Sequence, residues 1–381
     1  MPVASGFVPL WDRTAEWQRR LAMIRDARAF LYLSTFYIEY DDYAVELLDA
    51  LVGASRRGVA VHLLIDGFGQ RLGGVLMTAA TKAALQRHLD QLRAAGGTVE
   101  VYRPRRLSQR QLGGGQHVKI QVSEQGEAIF GSSNITRTSF EGWNEYSVAV
   151  SGPVARTLLE SYRDIGGTVH DAHLDHLPVA APDADHHMDY CVCNPNISQG
   201  VLGPLGWRGT NLVTTRLIDL LDRARESVAL TSFYFKPVPP LLDAVLRAAR
   251  RGVAVEVFHS HREALPATDL AWIAAAASYD RLLEAGVVIH ENRRGEHSKI
   301  VVIDRARAAF GSYNFEDAAH DRLAEAMLFS DDPRAVTPAL DIFEALRRDP
   351  ENERVNAGWF TDLPPRVRSR VRRFSRFKRW M

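Results

Sequence analysis

Two segments of the chain, 180 residues apart, carry the same polar residue types at the same spacing. The first segment contains His117, Lys119, Glu124, Ser132, Asn134 and Glu145. The second segment contains His297, Lys299, Asp304, Ser312, Asn314 and Glu325. A single His-x-Lys carries little information, but matched polar positions at one constant offset are hard to obtain by chance. The pattern therefore indicates a duplicated functional site.

The chemistry that suits these residues is transfer of a phosphate ester. His and Lys at positions i and i+2 of a strand point to the same face of the sheet. Two copies packed together would supply two imidazoles, two ammonium groups, two hydroxyls and two amides to one pocket. The ammonium, hydroxyl and amide donors fit the oxygens of a phosphate diester. One imidazole can attack phosphorus while the other protonates the leaving alcohol.

Two further carboxylates belong to this predicted site. Glu145 and Glu325 each follow the asparagine of their segment by eleven positions. We expect them to accept a hydrogen bond from the far nitrogen of the histidine rings, as the carboxylate of a serine-protease triad does. The chemistry demands no metal ion, so no cofactor is predicted.

Composition is that of a globular chain with room for two domains. Its 381 residues are 46% hydrophobic and 24% charged. No apolar run is long enough to predict a transmembrane helix, and the first residues show no secretory signal. The two cysteines, Cys191 and Cys193, are one residue apart, which disfavours a disulfide and fits a reducing compartment.

The elements before each site are also repeated. The segment LLDALVGASRRGVAV at 47–61 matches LLDAVLRAARRGVAV at 241–255, an offset of 194. Both segments indicate a helix, a glycine turn and a buried strand, and such β-α-β units form parallel or mixed sheets covered by helices. Because the offset falls to 180 at the histidines, the first half is 14 residues longer between these landmarks. Its polar, glycine-containing stretch at 103–116 is predicted to be a mobile loop.

The repeat predicts four regions. Residues 1–175 and 206–362 are the two α/β domains, and residues 176–205, rich in Pro, Asp, His and Asn, are a linker or loop. Residues 363–381 form a basic tail, of which 366–381 hold seven Arg and one Lys with no acidic residue. The rest of the chain has 39 basic and 46 acidic residues, so an acidic body carries this tail.

The duplicated pattern resembles the hallmark H-x-K-x4-D-x6-G-S-x-N of the phospholipase D superfamily, and the resemblance covers nearly the whole chain. It implies two α/β/α sandwich domains related by pseudo-twofold symmetry, with one active site at their interface. It also implies that His117 is the nucleophile, through a phosphohistidine, and that His297 is the general acid and base. By the same resemblance, the phosphate-binding residues are Lys119, Lys299, Asn134 and Asn314, supported by Ser132 and Ser312.

The first segment departs from the hallmark at Glu124, where the family has the Asp that Asp304 supplies in the second. In the family this carboxylate is a structural partner, so the resemblance implies a supporting role for both residues. The repeated LLDA-x3-A-x-RRGVAV pattern and the segment SGPVARTLLESYRD are similar to bacterial cardiolipin synthases and related phosphatidyltransferases. This implies phosphatidyl transfer with phosphatidylglycerol as donor and acceptor, or hydrolysis by water.

Two alternatives remain open at this stage. Nucleases of the same superfamily use the same residues on DNA or RNA, and a catalytically silent protein could bind lipid without turning it over. The tail bears on this choice, because Val367, Val371, Phe374 and Met381 follow a helical spacing beside a dense Arg face. This pattern favours contact with an anionic membrane over a nucleic-acid contact or a solvated tail. We expect a cytoplasmic protein held peripherally at the inner face of the cell membrane.

Several other residues could have a function or only a structural role. His186, His187, Cys191 and Cys193 match no standard zinc spacing, and loop residues are the preferred interpretation. Asp66 lies where α/β sheets open to ligands, although capping a helix or turn is equally plausible. Aromatic residues after the first strand of each half are expected to line the pocket or pack in the core: Phe36, Tyr37, Phe233 and Tyr234.

Overall fold

The computed structural model describes residues 3–197, 211–265 and 268–374. The strands of the first half are Val3–Ala4 (β1), Gly6–Leu10 (β2), Phe30–Thr35 (β3), Ala60–Asp66 (β4), Thr98–Tyr102 (β5), Gly115–Gln116 (β6), Lys119–Ser123 (β7), Glu127–Gly131 (β8) and Ser147–Ser151 (β9). Its helices are Arg13–Asp26 (α1), Asp42–Arg56 (α2), Gly67–Gly73 (α3), Ala79–Ala94 (α4), Leu107–Gln111 (α5), Pro153–Asp164 (α6) and Asp171–His176 (α7). A 3-10 turn follows α3 at Gly74–Leu76, and a π turn lies at Thr138–Gly142.

The second half has a similar series of elements. Its strands are His186–His187 (β10), Asp189–Cys193 (β11), Ser227–Ser232 (β12), Ala254–Ser260 (β13), Val288–Asn292 (β14), Ile300–Ile303 (β15), Arg307–Gly311 (β16), Leu323–Ser330 (β17) and Asn352–Arg354 (β18). Its helices are Leu212–Arg223 (α8), Pro239–Arg250 (α9), Leu270–Ala276 (α10), Tyr279–Glu284 (α11), Asp317–Asp321 (α12), Pro333–Arg348 (α13), Trp359–Asp362 (α14) and Pro365–Phe374 (α15). A 3-10 turn lies at Arg262–Ala264.

Each half builds one large mixed sheet, and the two sheets share a strand order. The first runs β9-β8-β7-β3-β4-β5 and the second β17-β16-β15-β12-β13-β14. In the first sheet, β3 pairs in parallel with β4 and antiparallel with β7. In the second sheet, β12 pairs in parallel with β13 and antiparallel with β15. At one edge, β2 pairs with β9 in the first sheet, and β11 pairs with β17 in the second. The predicted duplicated α/β fold is confirmed.

Strand alternation divides the side chains between an outer and an inner core. Leu31 and Leu33 face outward to α1, α2 and α4, whereas Val118 and Ile120 face inward. The inner faces of both sheets, with α6 and α13, share one apolar core that also contains Val302 of the second half. The two halves are therefore packed face to face, which fixes the two predicted site segments relative to each other.

The repeated RRGVAV segment ends a helix and starts a strand. Gly58 and Gly252, which follow α2 and α9, have φ of +91° and +90°. This left-handed conformation is one that glycine adopts at little cost and other residues avoid. The glycine turns the chain directly into Val59 and Val253, which are buried before β4 and β13. The spacing of the repeat thus sets where each parallel strand begins.

The segment predicted to be a linker or loop is in part a strand. Residues 189–193 form β11, and Cys191 and Cys193 are buried against β17 rather than lying in a loop. Their alternation with Tyr190 and Val192 is the pattern of an edge strand, and β11 stands before α8 as β2 stands before α1. His186 is also buried, and its Nε2 lies 2.8 Å from the Ser330 hydroxyl. Across the described residues no cluster of His, Cys, Asp and Glu is arranged to hold a metal ion.

The stretch predicted to be a mobile loop, 103–116, also contains regular structure. It forms the short helix α5 and the strand β6, and β6 crosses to pair with β17 of the other half. The strand pairing explains why Gly115 and Gln116 are buried although the sequence there is polar.

The basic tail begins as a helix, but its apolar stripe faces the protein. Within α15, Val371 is 5% exposed, and Val367 and Phe374 pack against the same core, beside α10. Arg370 pairs with Asp269 at 2.6 Å, and the other Arg side chains of α15 are exposed except Arg368, which is half-buried. The predicted stripe is therefore present, with the second half rather than a membrane covering it. Residues 375–381 of the tail lie outside the described part of the chain. Among the described residues, no helix is both long and apolar enough to cross a bilayer.

Candidate active site

The backbone at each histidine is hydrogen-bonded to the other half of the chain. The backbone N–H of His117 donates to the carbonyl of Ala324 at 2.8 Å, and that of His297 donates to the carbonyl of Asn144, also at 2.8 Å. Ala324 and Asn144 each precede one of the predicted glutamates. Each histidine therefore lies next to the glutamate of the other half.

The histidine–glutamate pairs are crosswise between the halves. His297 Nδ1 lies 2.8 Å from Glu145 Oε2. His117 Nδ1 lies 3.1 Å from Glu325 Oε1 and 3.1 Å from the carbonyl of Ser312. The Ser312 carbonyl beside His117 and the Glu145 carboxylate beside His297 only accept hydrogen bonds, so Nδ1 of each ring carries the proton and Nε2 retains its lone pair. In both rings Nε2 is thus the unprotonated nitrogen.

The serines of the repeat hold the glutamates. Ser132 donates its hydroxyl to Glu145 and accepts from the backbone N–H of Tyr146 at 3.0 Å. Ser312 does the same with Glu325 and with the N–H of Ala326, again at 3.0 Å. Both serines are fully buried, with their hydroxyls turned to these partners. In this structure they contact the carboxylates, and the phosphate contact predicted for them stays a prediction.

The two lysines are buried cations beside the histidines. Lys119 and Lys299 are each 1% exposed, and each donates from Nζ to the carbonyl of the histidine two residues before it. Burial, followed by the charge of Lys299, brings the pKa of Lys119 well below its usual value. Burial also lowers the pKa of Lys299 to about 8. An ammonium group has three N–H donors, so each lysine has donors left for a bound anion.

Burial and these cations keep the histidines neutral. Burial, followed by the charges of Lys119 and Lys299, brings the pKa of His117 well below its usual range. Burial also lowers the pKa of His297, to about 4, although Glu145 opposes the change. Neutral imidazoles beside two ammonium groups form a site that favours an anion.

The two glutamates differ in charge. Burial raises the pKa of Glu145, but His297 and Lys299 outweigh it and bring that pKa down to about 2. For Glu325 burial prevails over the opposing Lys119 and raises the pKa to about 8. The pairs are thus alike in geometry, but only the one containing His297 has a firmly ionised carboxylate at neutral pH.

The asparagines of the repeat also line the site, in different ways. Asn314 is held on both sides: its oxygen accepts from the N–H of Phe233 at 3.3 Å, and its amide donates to Glu316 at 3.2 Å. Asn134 is 1% exposed, and neither polar atom of its side chain has a hydrogen-bond partner among the described residues. Because an unpaired buried amide costs free energy, Asn134 fits a site that a ligand completes.

The histidines and the asparagines open onto one cavity of about 430 Å³ at the junction of the halves. Both histidines and both asparagines reach it, and its wall includes the predicted aromatic residues Phe36, Tyr37, Phe233 and Tyr234. Phe36 packs edge-on to the His117 ring, with centroids 4.7 Å apart. Two further residues were not predicted from the sequence: Trp143, which stacks on His297 with centroids 4.8 Å apart, and Lys236, which pairs with Glu316 at 3.6 Å. Neither residue has a counterpart of its type in the other half.

The hallmark carboxylates lie away from this cavity. Glu124 accepts from the backbone N–H groups of Arg28 and Phe30, at 2.7 and 3.4 Å. Asp304 accepts from the N–H of Arg225, Glu226 and Ser227 at 2.7–3.1 Å. Both therefore anchor the turn after the histidine strand to the start of the first strand, an arrangement that supports a structural role.

Asp66 and its counterpart Ser260 fix the chain just before each histidine. Asp66 caps α3 and accepts from the N–H of Gln116 at 2.8 Å. Ser260 accepts from the N–H of Glu296 at 2.9 Å. The structural interpretation of Asp66 thus fits its contacts, and the residue positions the segment that carries His117.

The residue before each histidine shows a difference between the repeats. Gln116 in the first half corresponds to Glu296 in the second, where the buried carboxyl accepts from the N–H of Ser298 and the amide of Asn144, both at 3.1 Å. Burial raises the pKa of Glu296 to about 7. The folded state then binds a proton that the unfolded state, with an ordinary pKa of 4.5, releases.

We therefore expect Glu296→Gln to change the pH dependence of stability. The free energy of unfolding of the native protein should fall between pH 4.5 and 7, by at most about 3 kcal/mol from this group. The variant should lose that fall and be the more stable protein at pH 8. Urea unfolding at pH 5 and pH 8 measures both values. Equal pH slopes for the two proteins would show that Glu296 is ionised throughout.

Comparison with known proteins gives a consistent family. A protein-family model described as "Cardiolipin synthase, PLD-like domain" matches residues 21–164 and 217–347. Cardiolipin synthase B of Salmonella typhimurium is 26% identical over 326 residues, covering 81% of this chain and 72% of that protein. The major cardiolipin synthase of Bacillus subtilis is 24% identical over 326 residues, covering 80% of this chain and 61% of that protein.

A solved structure supports the fold. The crystal structure of phosphatidylserine synthase from Haemophilus influenzae superposes with a TM-score of 0.74 at 16% identity, covering all of this chain and 95% of that one. At this identity the likeness is evidence for the two-domain architecture.

Proposed function

Because the chain belongs to the phospholipase D-like domain family of cardiolipin synthases, we propose that it transfers a phosphatidyl group between alcohols, with phosphatidylglycerol as donor and acceptor. The observation that supports this most directly is the arrangement at the cavity. Both histidines and the unpartnered amide of Asn134 line it, with the crosswise glutamates and the two buried lysines directly behind the histidines. Together they offer a place for one phosphate diester, with a nucleophile and a proton donor on separate halves.

The difference between the two pairs supports His117 as the nucleophile. Both imidazoles have lowered pKa values, so the Nε2 lone pair of His117 is free to attack at neutral pH and the carboxylates make the difference. Attack by Nε2 on phosphorus forms the P–N bond while the P–O bond to the leaving alcohol breaks. His297, backed by ionised Glu145, is the better placed to carry a proton when the anionic diester is bound. It gives that proton to the leaving oxygen.

The second half of the reaction reverses these roles. The hydroxyl of an acceptor alcohol gives its proton to His297 and attacks phosphorus, and the P–N bond breaks to restore His117. When water takes the place of the alcohol, the product is phosphatidic acid. Lys119, Lys299, Asn134 and Asn314 hold the phosphate oxygens in both steps, where charge is spread over those oxygens in the transition state.

The cavity wall favours a lipid over a nucleic acid. Beyond the histidines the lining is largely aromatic and aliphatic, including Phe68, Leu72 and Leu323. Acyl chains and glycerol backbones gain from such a surface, whereas a nucleic-acid backbone needs a basic groove along its path. We also propose that the exposed Arg side chains of α15 contact an anionic membrane by charge, at its inner face.

The direct test is mass spectrometry of lipids after incubation of the full chain with phosphatidylglycerol vesicles, beside the His117→Ala variant. The expected result is cardiolipin and free glycerol with the native protein and neither with the variant. Phosphatidic acid alone would make the protein a hydrolase. If no lipid changes while single-stranded oligonucleotides are cut, the lipid assignment is wrong. If neither class of substrate is consumed and vesicles are still bound, the protein is a lipid-binding protein without turnover.

A further inference from the structure

An apolar ridge stands beside the mouth of the cavity. We define the ridge as Leu72, Val75 and Leu76, at the end of α3 and in the 3-10 turn after it. Their side chains are 48%, 71% and 44% exposed, although each also borders the cavity. Three adjacent, exposed aliphatic side chains at a cavity entrance are uncommon on a surface that faces only water.

The first half is longer than the second at this place. Equivalent strand pairs in the two sheets show where the 14 extra residues lie. Asp66 of β4 is the neighbour of Tyr102 in β5, as Ser260 of β13 is the neighbour of Asn292 in β14. Counting along the sequence, four of the extra residues fall between the paired strands and ten between Tyr102 and His117. The shorter second half folds into the same sheet order without them. The sheet therefore does not require the added length, which points to another use.

Positive charge surrounds the ridge. Residues 67–78 and 103–112 contain no Asp or Glu, and they carry five exposed arginines: Arg71, Arg103, Arg105, Arg106 and Arg110. The two segments are in contact, since Arg71 donates to the carbonyl of Arg110 at 3.5 Å. Across the mouth, Thr268 and Ala271 line the cavity beside α10, and α15 with its Arg face packs on α10. Cationic groups thus flank the cavity on both halves.

We propose that the ridge inserts into the surface of an anionic phospholipid bilayer, with these arginines on the headgroups and the cavity mouth against the membrane. Aliphatic side chains ringed by Arg match the acyl boundary and the charged headgroup layer respectively. The ridge continues into the apolar wall of the cavity, so a lipid can pass from the bilayer to His117 without crossing water. A second copy of this chain is a poorer occupant, because the same arginines would face each other. The proposal rests on the proposed function only in that the cavity takes a phospholipid.

The test places a polarity-sensitive fluorophore on the ridge. Val75→Cys is labelled through its thiol, and Val179→Cys is the matched control. Val179 is 76% exposed beside Pro178, which lies 3.5 Å from the Cβ position of Gly126 in the turn at the far end of β7. The native cysteines, Cys191 and Cys193, are buried and leave the introduced thiol as the reactive one. Each labelled protein is mixed with phosphatidylglycerol vesicles or with phosphatidylcholine vesicles.

The expected result is a blue shift for the probe at position 75 with phosphatidylglycerol vesicles, a smaller shift with phosphatidylcholine, and none for the probe at position 179. The shift should persist when His117→Ala is added, because docking needs no turnover. An absent shift in a protein that still converts lipid would overturn the inference and leave the proposed function standing. A shift without lipid that grows with protein concentration would also overturn it, by showing that a second copy covers the ridge.

Charge variants give an independent measure. Arg105→Glu with Arg106→Glu should weaken sedimentation with phosphatidylglycerol vesicles by at least about fivefold per residue. The same double change at Arg223 and Arg225, exposed at the far end of the second sheet beside Asp304, is the control of equal net charge. It should weaken binding far less. Equal losses in the two double variants would show that only net charge matters and would overturn the assignment of this surface.

Discussion

Replacing His297 by Asn is expected to separate the two steps of the reaction. With a phospholipid, whose leaving alcohol must be protonated, turnover should fall by about 10²–10⁴-fold. With a p-nitrophenyl phosphodiester the first step should survive, because nitrophenolate leaves without a proton. The second step still lacks its base. The variant should therefore release about one nitrophenol for each protein in a rapid phase and then continue slowly, which stopped-flow absorbance measures directly.

The matched variant is His117→Asn, which removes the proposed nucleophile and should show neither the rapid phase nor the slow one. Mass spectrometry of His297→Asn after the rapid phase should find the substrate's phosphoryl group on the intact protein and, after digestion, on the peptide that contains His117. A rapid phase in His117→Asn and its absence in His297→Asn would reverse the two roles. Loss of the rapid phase in both variants would contradict a covalent histidine intermediate in which His297 acts only on protons.

The sequence predicted the parts of the site that depend on local geometry. The His-x-Lys spacing predicted a strand at this point, and β7 begins at Lys119, two residues after His117. The constant offset between the segments predicted the duplication, and the RRGVAV pattern located the turn between each helix and strand. These features depend on spacing within a few residues, which a single sequence displays.

The partners of the histidines could not be predicted in the same way. Glu145 and Glu325 occupy equivalent places in the repeat, so pairing within one half and pairing between halves fit the sequence equally well. The structure decides because the segment before each histidine hydrogen-bonds to the opposite half. The His–Glu contacts join positions 152 and 208 residues apart. Long-range packing, with no local signal, sets them.

Two other differences have the same cause. The periodicity of α15 predicted an apolar stripe, but periodicity does not say what covers a stripe, and here the core beside α10 does. The polar composition of 176–205 hid β11, whose alternating residues 189–193 become buried only because β17 lies beside them. The ridge at Leu72–Leu76 was missed because exposed aliphatic residues in a short helix look like ordinary core residues in a sequence.

The crosswise pairing leads to the second large effect: Glu145→Gln is expected to behave like the loss of His297, although it lies in the half that carries His117. Glu145 is ionised and 2.8 Å from His297 Nδ1, so Gln removes the charge that favours protonation of that ring. Turnover of phospholipid should fall by about 10²–10⁴-fold, as when a triad carboxylate is neutralised. The rapid release of nitrophenol from the activated diester should remain, because that step needs only His117.

Glu325→Gln is the matched control, because it changes the equivalent residue of the repeat. Burial holds the pKa of Glu325 near 8, so at pH 7 this change removes little charge and should cost much less turnover. Its effect should fall on the rapid phase, since Glu325 lies against His117. If Glu325→Gln instead preserved the rapid phase and abolished the later turnover, each glutamate would serve the histidine of its own half. In the expected result, each Gln variant has the defect of the histidine across the interface. Both halves would then be needed for either chemical step. A single half would then lack the carboxylate that orients its own nucleophile or acid, which gives a physical reason for the two copies to remain in one chain.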